Sequence, residues 1–496
     1  MDFSSLNIFS NRFYCISLFL ANTLFFSSFA HSEDNNLDLM SDDFDLLEDS
    51  SFEILEAEMD LKGQKFSEID DQSDKNNEIS IASTTDESFE GFSGSIYQSF
   101  VFGTEIPGFG FDRNKRGLER IRTTLNLNNE GNISSDLRYK FGGVIRYEWG
   151  EWSNDAFQLD KNSPNFILKD AYLDFYSSNN IWVRVGNQII ARGKLDASTI
   201  TDTINPRDLS IPGQGEIFEF RQHVPAVLIN VPISNFKFEF IATYNAGANK
   251  LGESRSSFDP LAIFQNLVMP GPSPLSANYL KPNNEFEYFV NLHYSFNGGD
   301  VSLVLSDENL NQRNLKKITN TSLSSALHFG FDRVKILGIN GNLARGNYLL
   351  KFEGAHSQGV SIPGKDPSIL PWKKKNQTLL AIGLDYTGLD NLTLGFETDV
   401  RAIQDYEADL NGSETSVGQH LQARWVGLND LLSINGTLSR LNGEKSMISS
   451  LAINYNVRDA LSIGGRLVQY QANSVTDSFF PYRNQDVIML STEYSF

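Results

Sequence analysis

The stretch EFEYFVNLHYSF (residues 285–296) decides the fold class of this chain. Its apolar side chains occupy every second position, namely Phe286, Tyr288, Val290, Leu292, Tyr294 and Phe296. A period of two places these side chains on one face of an extended strand and the polar ones on the other. The tetrapeptide NGGD (297–300) follows, and such Gly- and Asn-rich sequences favour tight hairpin turns. The stretch therefore predicts a half-apolar β-strand that ends in a hairpin.

The same alternation recurs from residue 91 to the end of the chain. It predicts about 18 strands, with 16–18 as the range. They are expected to start near residues 92, 117, 133, 166, 181, 222, 235, 284, 299, 321, 344, 377, 391, 416, 431, 447, 460 and 486.

Short and long connections alternate between these strands. Short turns are predicted at 177–180, 233–235, 297–300, 388–391, 427–430 and 457–460. Long polar loops are predicted at 102–116, 150–165, 191–221, 246–283, 307–320, 355–376, 405–415 and 471–485. This regularity is typical of an all-β transmembrane antiparallel barrel with short periplasmic turns and long outer loops. A secreted adhesin or a lectin-like fold is the alternative. An even strand number would place both termini in the periplasm of a Gram-negative bacterium.

The first 90 residues differ from the rest in composition. Residues 1–30 resemble a secretory signal peptide, with Arg12, an apolar run from Phe13 to Phe26 and a small residue at Ala30. Cys15, the single cysteine, would be removed with it. Between Glu33 and Glu90 there are 20 acidic and 3 basic residues. Residues 31–90 are therefore expected to form a largely disordered periplasmic segment. A short helix over 37–60 that docks on a periplasmic partner is the alternative.

Charged residues occur on the polar faces of several predicted strands. The basic ones are Arg120, Arg122, Arg138, Lys140, Arg146 and Arg184, and the acidic ones are Asp170, Asp174, Glu239, Glu287, Glu353, Glu397 and Asp399. In a water-filled barrel these residues would line the lumen, where a basic wall favours an anionic or dipolar solute. Local pairing that only stiffens the wall is the alternative.

The interval 191–221 is too long and too highly charged for an ordinary connection. Its charged residues include Arg192, Lys194, Asp196, Asp202, Arg207 and Asp208. We predict that this loop folds into the barrel mouth as a constriction, with Arg207 and Asp208 at its narrowest point, opposite or beside the basic wall. An ordered cap that stays at the rim is the alternative.

The segment VRVGNQIIARGKLDASTITDTINPRDL (183–209) carries the most specific motif. It resembles the signature of the DUF1302-type outer-membrane family, which is related in style to alginate-export porins. The matching residues are Gly186, Gln188, Gly193, Asp196, Asp202, Asn205, Pro206, Arg207 and Asp208. The resemblance implies a monomeric channel of 16–18 strands for diffusion or export.

The predicted function is passive, selective passage of a small or oligomeric anionic solute across the outer membrane. The alternative is a structural or surface-receptor barrel whose acidic segment docks a periplasmic partner. The expected partners are outer-membrane lipid, the solute and the barrel-assembly machinery, which would recognise the terminal Phe496; a monomer is favoured over a trimer. No Ser–His–Asp spacing, metal motif or phosphate-binding loop is evident, so no enzyme activity, cofactor, metal or nucleic-acid partner is predicted.

Overall fold

The structure is a computed structural model that describes most of the chain beyond residue 90. The described residues are 91–104, 117–153, 156–159, 164–177, 180–214, 220–252, 258, 275–320, 325–364, 373–410, 412–440, 446–473, 477, 479–483 and 485–496. The predicted signal peptide (1–30) and acidic segment (31–90) lie outside the described residues.

Within the described residues the chain forms strands almost throughout. They are β1 (Gly91–Gly103), β2 (Leu118–Ser134), β3 (Leu137–Ser153), β4 (Ala156–Leu159), β5 (Asn165–Tyr176), β6 (Trp182–Gln188), β7 (Asp208–Leu209), β8 (Val224–Ile233), β9 (Phe236–Tyr244), β10 (Lys250–Leu251), β11 (Leu275–Tyr279), β12 (Phe286–Phe296), β13 (Gly299–Asn309), β14 (Asn314–Asn320), β15 (Ser325–Gly330), β16 (Arg333–Arg345), β17 (Tyr348–Ile362), β18 (Lys373–Leu389), β19 (Leu392–Ile403), β20 (Thr415–Gly427), β21 (Leu432–Arg440), β22 (Met447–Arg458), β23 (Leu461–Gln471) and β24 (Val487–Ser495). A short 3-10 helix covers Phe480–Tyr482. No helix among the described residues combines the length and hydropathy that crossing a membrane requires.

Eighteen strands close into an antiparallel barrel, which confirms the predicted fold class. The wall consists of β1–β3, β5, β6, β8, β9, β12, β13 and β16–β24, and each strand pairs with the next. Closure comes from β1 pairing with β24, with a register that runs from Ser95 opposite Ser495 to Gly103 opposite Val487. Because every wall strand has two neighbours, the barrel leaves no unpaired edge.

One predicted strand start was wrong. The tenth wall strand was expected near residue 321, but it is β16 and begins at Arg333. The alternating segment β15 belongs instead to a separate three-stranded sheet with β11 and β14. His328 lies in this extra sheet, where its Nε2 is 3.1 Å from Thr319 Oγ1. Alternation predicts that a strand forms but does not tell which sheet it joins.

The outer face of the barrel is apolar along its whole circumference. Large exposed side chains include Phe166, Leu173, Ile229, Leu305, Ile339, Leu380, Leu421, Ile463 and Leu490. Aromatic pairs near the rim with short turns include Tyr348 with Tyr386, at 5.0 Å between ring centroids, and Tyr494 with Phe496, at 6.4 Å. An apolar belt flanked by aromatic rings is typical of a barrel surface that contacts lipid.

The inner face of the wall is covered by chain that lies inside the barrel. Leu195 and Ile200, from the connection between β6 and β8, are buried in one cluster with wall residues such as Val334, Ile336 and Ala355. Ile204, from the same connection, is buried against Phe289 of the β12 wall. Apolar contacts are not directional and do not fix the position of this segment along the wall. Polar contacts must therefore position it.

The lipid-contacting belt leads to a test of stability. Leu380 lies midway along β18 and its side chain points outward. Leu380→Arg should lower the free energy of unfolding in lipid vesicles by about 2–4 kcal/mol, because it places a cation in hydrocarbon. Asn454→Arg, on the inward face of β22, is the matched control and should cost much less. Equal losses in the two variants, measured by urea titration, would contradict the assigned faces.

Candidate functional site: the inner loop and the wall that holds it

The connection between β6 and β8, residues 189–223, is called the inner loop. Its main anchor is Glu353, an inward-facing residue of β17 that is only 2% exposed. The Glu353 carboxylate accepts five hydrogen bonds from the loop. The donors are the backbone N–H groups of Lys194, Leu195, Ile200 and Thr201 and the Thr201 hydroxyl, at 2.5–3.0 Å. The backbone of residues 194–201 therefore curves around a single wall carboxylate.

Glu397, two strands away on β19, is the second anchor. It accepts the backbone N–H groups of Asp196, Ala197 and Ser198 at 2.8, 2.9 and 3.0 Å. Lys351 of β17 reinforces this second anchor: its Nζ contacts the Asp196 carboxylate and lies 3.3 Å from Glu397. Charge-assisted hydrogen bonds of this kind are stronger than neutral ones, and burial protects them from solvent screening.

Further contacts attach the inner loop to the β12 and β13 wall. The Lys194 ammonium lies 2.6 Å from the Asp300 carboxylate, and the Thr203 hydroxyl donates to Glu308 at 3.0 Å. Arg192 donates to the Asn291 side chain at 2.7 Å. Together with the anchors on β17 and β19, these contacts fix the loop to one half of the wall.

The tip of the inner loop reaches the opposite half of the wall. The Arg120 guanidinium on β2 donates to Gln214 at 3.2 Å, and Arg466 on β23 donates to the Gly213 carbonyl at 3.3 Å. Tyr470 donates its hydroxyl to the Pro212 carbonyl. Gly213 has φ +74°, and a Cβ there would lie 2.8 Å from Val468, so the close approach requires glycine. The inner loop therefore spans the lumen from wall to wall.

The motif residues of the sequence analysis shape this loop. Asn205 accepts the N–H of Ile190 and donates to the carbonyls of Gln188 and Gln222, which ties the two ends of the loop together. Asp202 accepts from the Arg192 N–H and from the Arg221 guanidinium at 2.9 Å. Gly193 has φ +107°, and a Cβ there would lie 2.8 Å from Glu353. Each of these side chains stabilises the loop conformation, and none of these contacts by itself identifies a solute.

A second connection, between β9 and β12, also enters the barrel. Its strand β10 pairs in parallel with β7 of the inner loop, and the Lys250 ammonium lies 3.2 Å from Asp208. Phe258 of the same connection is buried against Tyr470 and Tyr482 on the far side of the lumen. The two connections thus support each other inside the barrel.

The predicted basic wall is largely paired with acidic neighbours. Arg122 contacts Glu148, Lys140 lies 3.1 Å from Asp170, and Arg184 binds Asp174 through two bonds of 2.7 and 2.9 Å. The Arg184 guanidinium also stacks on the Tyr172 ring, 3.8 Å from its centroid. Local pairing, the alternative weighed in the sequence analysis, therefore describes these three residues.

The remaining predicted pore residues fall in different environments. Arg138 is exposed on the inward face of β3, and Arg146 is buried near the inner loop. Arg207 is turned into the loop itself, donating to Thr199 Oγ1 at 2.6 Å and lying over the Phe220 ring. Asp208 pairs with Lys250 of the connection between β9 and β12, at 3.2 Å. Burial opposes its ionisation, but Lys250, the hydrogen bonds from Ser210 and the charge of Arg146 together lower the pKa of Asp208.

Two inward arginines were missed by the sequence analysis. Arg424 on β20 and Arg466 on β23 share the face of buried wall residues such as His420 and Val468. Each follows the strand alternation, so the period-two pattern that located Arg120 and Arg138 could have found them. The anchoring role of Glu353 and Glu397 had no sequence signal, because it depends on backbone N–H groups about 150–200 residues away in the chain.

One serine, one histidine and one aspartate meet in the lumen, which their spacing did not predict. Ser198 donates its hydroxyl to Asp399 Oδ1 at 2.9 Å, and His420 Nε2 lies 3.2 Å from the same oxygen. In a serine hydrolase the imidazole lies between the serine and the carboxylate. Here the carboxylate lies between the other two, so this order does not activate the serine. Among the residues that the structure describes, no group of three or more His, Cys, Asp and Glu side chains could hold a metal ion.

No protein-family model and no curated protein matches the chain. Solved outer-membrane proteins are similar over 82% of it. They include Pseudomonas aeruginosa OccK3, with 12% identity, 96% of that chain covered and a TM-score of 0.47. P. aeruginosa OccK9 has 11% identity, 98% coverage and a TM-score of 0.47, and Salmonella typhi OmpF has 11%, 97% and 0.39. At these values the similarity carries no conclusion about function, and the resemblance to the DUF1302-type family stays a prediction.

The anchor geometry predicts how the inner loop responds to loss of Glu353. Glu353→Gln replaces one acceptor oxygen with an NH₂ group that faces at least two N–H donors. We expect the free energy that protects the amides of residues 194, 195, 200 and 201 from exchange to fall by about 2 kcal/mol. Their hydrogen-exchange rates should therefore rise roughly 30-fold.

Glu287→Gln is the matched control for this exchange measurement. Glu287 is equally buried in the wall, but it accepts from Thr243 and Asn309 instead of the inner loop. The same four amides should stay protected in this control. Equal exchange in Glu353→Gln and the unmodified chain would contradict the anchoring role of Glu353.

Proposed function

We propose that this protein is a passive outer-membrane channel whose inner loop forms the constriction. The observation that carries the proposal is the double attachment of that loop, to Glu353 and Glu397 on one wall and to Arg120 and Arg466 on the other. A loop held across the lumen by buried charged hydrogen bonds narrows the path without closing it by a folded domain. Narrowing by fixed charged and polar groups is how barrel pores select solutes.

The proposed location in an outer membrane follows from the two faces of the wall. The outer face carries the apolar belt, and the inner face carries ion pairs that need either water or close partners. We place the rim with short turns, and with it Gly91 and Phe496, on the periplasmic side. Lipid and the assembly machinery would then be the partners of the barrel wall, and the barrel would act as a monomer.

A preference for anionic solutes is supported by which charges remain accessible. The inward carboxylates of Glu308, Glu353, Glu397 and Asp399 are at most 6% exposed, because the inner loop covers them. Arg138 is exposed on the inward face, and Arg424 and Arg466 are half-buried there. Covering these four carboxylates makes the accessible lining less acidic than the full set of inward carboxylates would make it. Small organic acids and uronate-type oligosaccharides fit such a lining, and liposome swelling with a panel of solutes would rank them.

The competing functions have less support in the described residues. A receptor or purely structural barrel has no need for a narrowing loop fixed to both walls. An enzyme needs a nucleophile next to its base, whereas Asp399 separates Ser198 from His420. We therefore propose transport without catalysis and without a cofactor.

Shortening the inner loop tests the constriction. Deletion of residues 200–215 should raise single-channel conductance in planar bilayers at least about twofold, because it removes the segment that crosses the lumen. Deletion of residues 407–409, which are exposed in the connection between β19 and β20, is the control and should leave conductance close to that of the full chain. If both deletions leave conductance unchanged, the loop is a cap and the proposed constriction is wrong.

Neutralising the accessible arginines tests the charge preference. Arg138→Gln combined with Arg424→Gln should lower the anion-over-cation permeability ratio at low salt and have less effect in about 1 M salt, where charges are screened within roughly 3 Å. Arg333→Gln is the control, because Arg333 pairs with Asp307 at 2.6 Å on the outward face. Reversal potentials that stay unchanged in the double variant would contradict an anion-selective lumen.

A further inference from the structure

We propose that the outward face of β16–β18, at the rim with long loops, binds the phosphorylated head group of a lipid in the outer leaflet. The inference goes beyond the proposed channel function and rests on the proposed location in an outer membrane. The surface that would bind the head group is called the polar patch. It consists of Arg333, Lys335, Gln358, Lys374 and Asn376.

The polar patch lies on the same side of the wall as the lipid-contacting belt. On β16, Lys335 is exposed between Val334 and Ile336, which are buried in one cluster with the inner loop. The next outward residues of this strand are Leu337 and Ile339, both of which are exposed. Lys335 therefore extends the lipid-contacting face of β16 toward the rim.

The outward face of β18 changes from polar to apolar in the same direction. Its successive outward positions are Lys374, Asn376, Thr378, Leu380, Ile382 and Leu384. The three leucine and isoleucine side chains are exposed in the belt, and the inward Ala381 between them is buried.

The strand register brings the residues of the polar patch together. Lys335 lies opposite Gln358 of β17, and Gln358 lies opposite Asn376 of β18. The row that lies four residues further into the belt consists of Ile339, Gly354 and Leu380. One stretch of wall therefore carries a polar row directly above an apolar one.

The height of the polar row fits the level of lipid head groups. Ten residues separate Asn376 from Tyr386, which belongs to the aromatic pair near the other rim. At a rise of about 3.3 Å per residue and a tilt of about 40°, this separation spans roughly 25 Å across the membrane, the height of the apolar band of a barrel. The polar patch therefore lies where hydrocarbon gives way to head groups.

The neighbouring wall at this level is aromatic instead of basic. The register continues the row of Lys335 through Asp307 to Tyr288 of β12. Tyr288 and the adjacent pair of Phe286 and Tyr244 are about half exposed on the outward face. The polar patch is therefore a local feature of β16–β18, which points to a specific ligand.

Both lysines of the polar patch are available to an anion. Lys335 is exposed, and among the residues that the structure describes it forms no hydrogen bond or ion pair. The Lys374 side chain is 58% exposed, and its ammonium lies 3.4 Å from Asp332. The two strands that carry the lysines are two positions apart in the sheet, or about 10 Å, so one head group can contact both side chains.

The two carboxylates that adjoin the polar patch already bind other cations. Asp307 lies 2.6 Å from the Arg333 guanidinium. Asp332 is only 1% exposed and binds Lys316. Neither carboxylate therefore presents a free negative charge that would repel a phosphate.

A phosphate-bearing lipid satisfies both parts of this surface. Its phosphate oxygens accept charge-assisted hydrogen bonds from ammonium groups and further bonds from the Gln358 and Asn376 amides. Its acyl chains would lie on the belt formed by residues such as Ile339 and Leu380. A zwitterionic lipid or a free anion would satisfy only one of the two parts.

The experiment measures binding of diphosphoryl lipid A to the full chain in neutral detergent by native mass spectrometry. Lys335→Gln combined with Lys374→Gln should weaken the affinity at least about fivefold, because each lysine near a head group attracts its phosphates. Heat-dependent electrophoretic mobility verifies that each variant forms the barrel.

Lys373→Gln combined with Lys375→Gln is the matched control. It removes the same charge from the same strand, but these lysines share the inward face of Val360 and Ile362 and pair with Glu407. Its affinity for diphosphoryl lipid A should stay close to that of the full chain. Equal losses in the two double variants would show attraction by net charge alone and would overturn the inference.

Lipid A without phosphates provides the second arm. It should bind the full chain as weakly as diphosphoryl lipid A binds the Lys335→Gln, Lys374→Gln variant. Equal affinities of the full chain for the two lipids, or an unchanged affinity in that variant, would overturn the inference. The variant should keep the single-channel conductance of the full chain, since neither lysine faces the lumen, so loss of lipid binding and failure of the proposed channel are measured separately.

Discussion

The arrangement of the lumen depends on one interaction, the capture of loop backbone N–H groups by buried wall carboxylates. Glu353 and Glu397 together accept seven backbone N–H groups within residues 194–201. A buried carboxylate without partners is strongly unfavourable, and so is a buried backbone without acceptors. Each satisfies the other, so the loop and the wall carboxylates stabilise each other.

This constraint accounts for the distribution of charge in the barrel. The carboxylates on β13, β17 and β19 hold the inner loop, and Lys351 balances part of their charge. The arginines on β2 and β23 lie on the opposite wall, where Arg120 and Arg466 receive the loop tip. The acidic residues that anchor the loop are covered by it, whereas Arg138 is exposed and Arg424 half-buried on inward faces, and this difference underlies the proposed anion preference.

The sequence predicts the strands of the wall well, because each strand and turn depends mainly on residues that are close together in the chain. Closing a barrel in lipid requires alternating faces and tight turns, and both are visible in stretches such as 285–296 and 297–300. The error at β15 shows the limit, since a strand that alternates can join a second sheet at the rim. The inner loop was recognised by its length and charge. Its anchors were not predicted, because Glu353 and Glu397 were interpreted as lumen charges, and only the folded structure shows that the loop backbone surrounds them. Arg207 illustrates the same limit, since its guanidinium turns toward Thr199 and Phe220.

The most direct test of the account is a disulfide cross-link between the inner loop and the wall. Ser198 Oγ lies 2.9 Å from Asp399 Oδ1, so these two side chains meet where the inner loop contacts the wall. Ser198→Cys combined with Asp399→Cys should therefore form a disulfide almost completely in the membrane-embedded barrel, without any ligand. Thr437→Cys with Ser450→Cys, register partners on β21 and β22, is the positive control for oxidation of inward-facing pairs. Efficient cross-linking of both pairs, detected as a mobility shift that reductant reverses, is the predicted result. Cross-linking of the control pair alone would show that residues 194–201 do not lie against the β19 wall, and it would contradict the central claim.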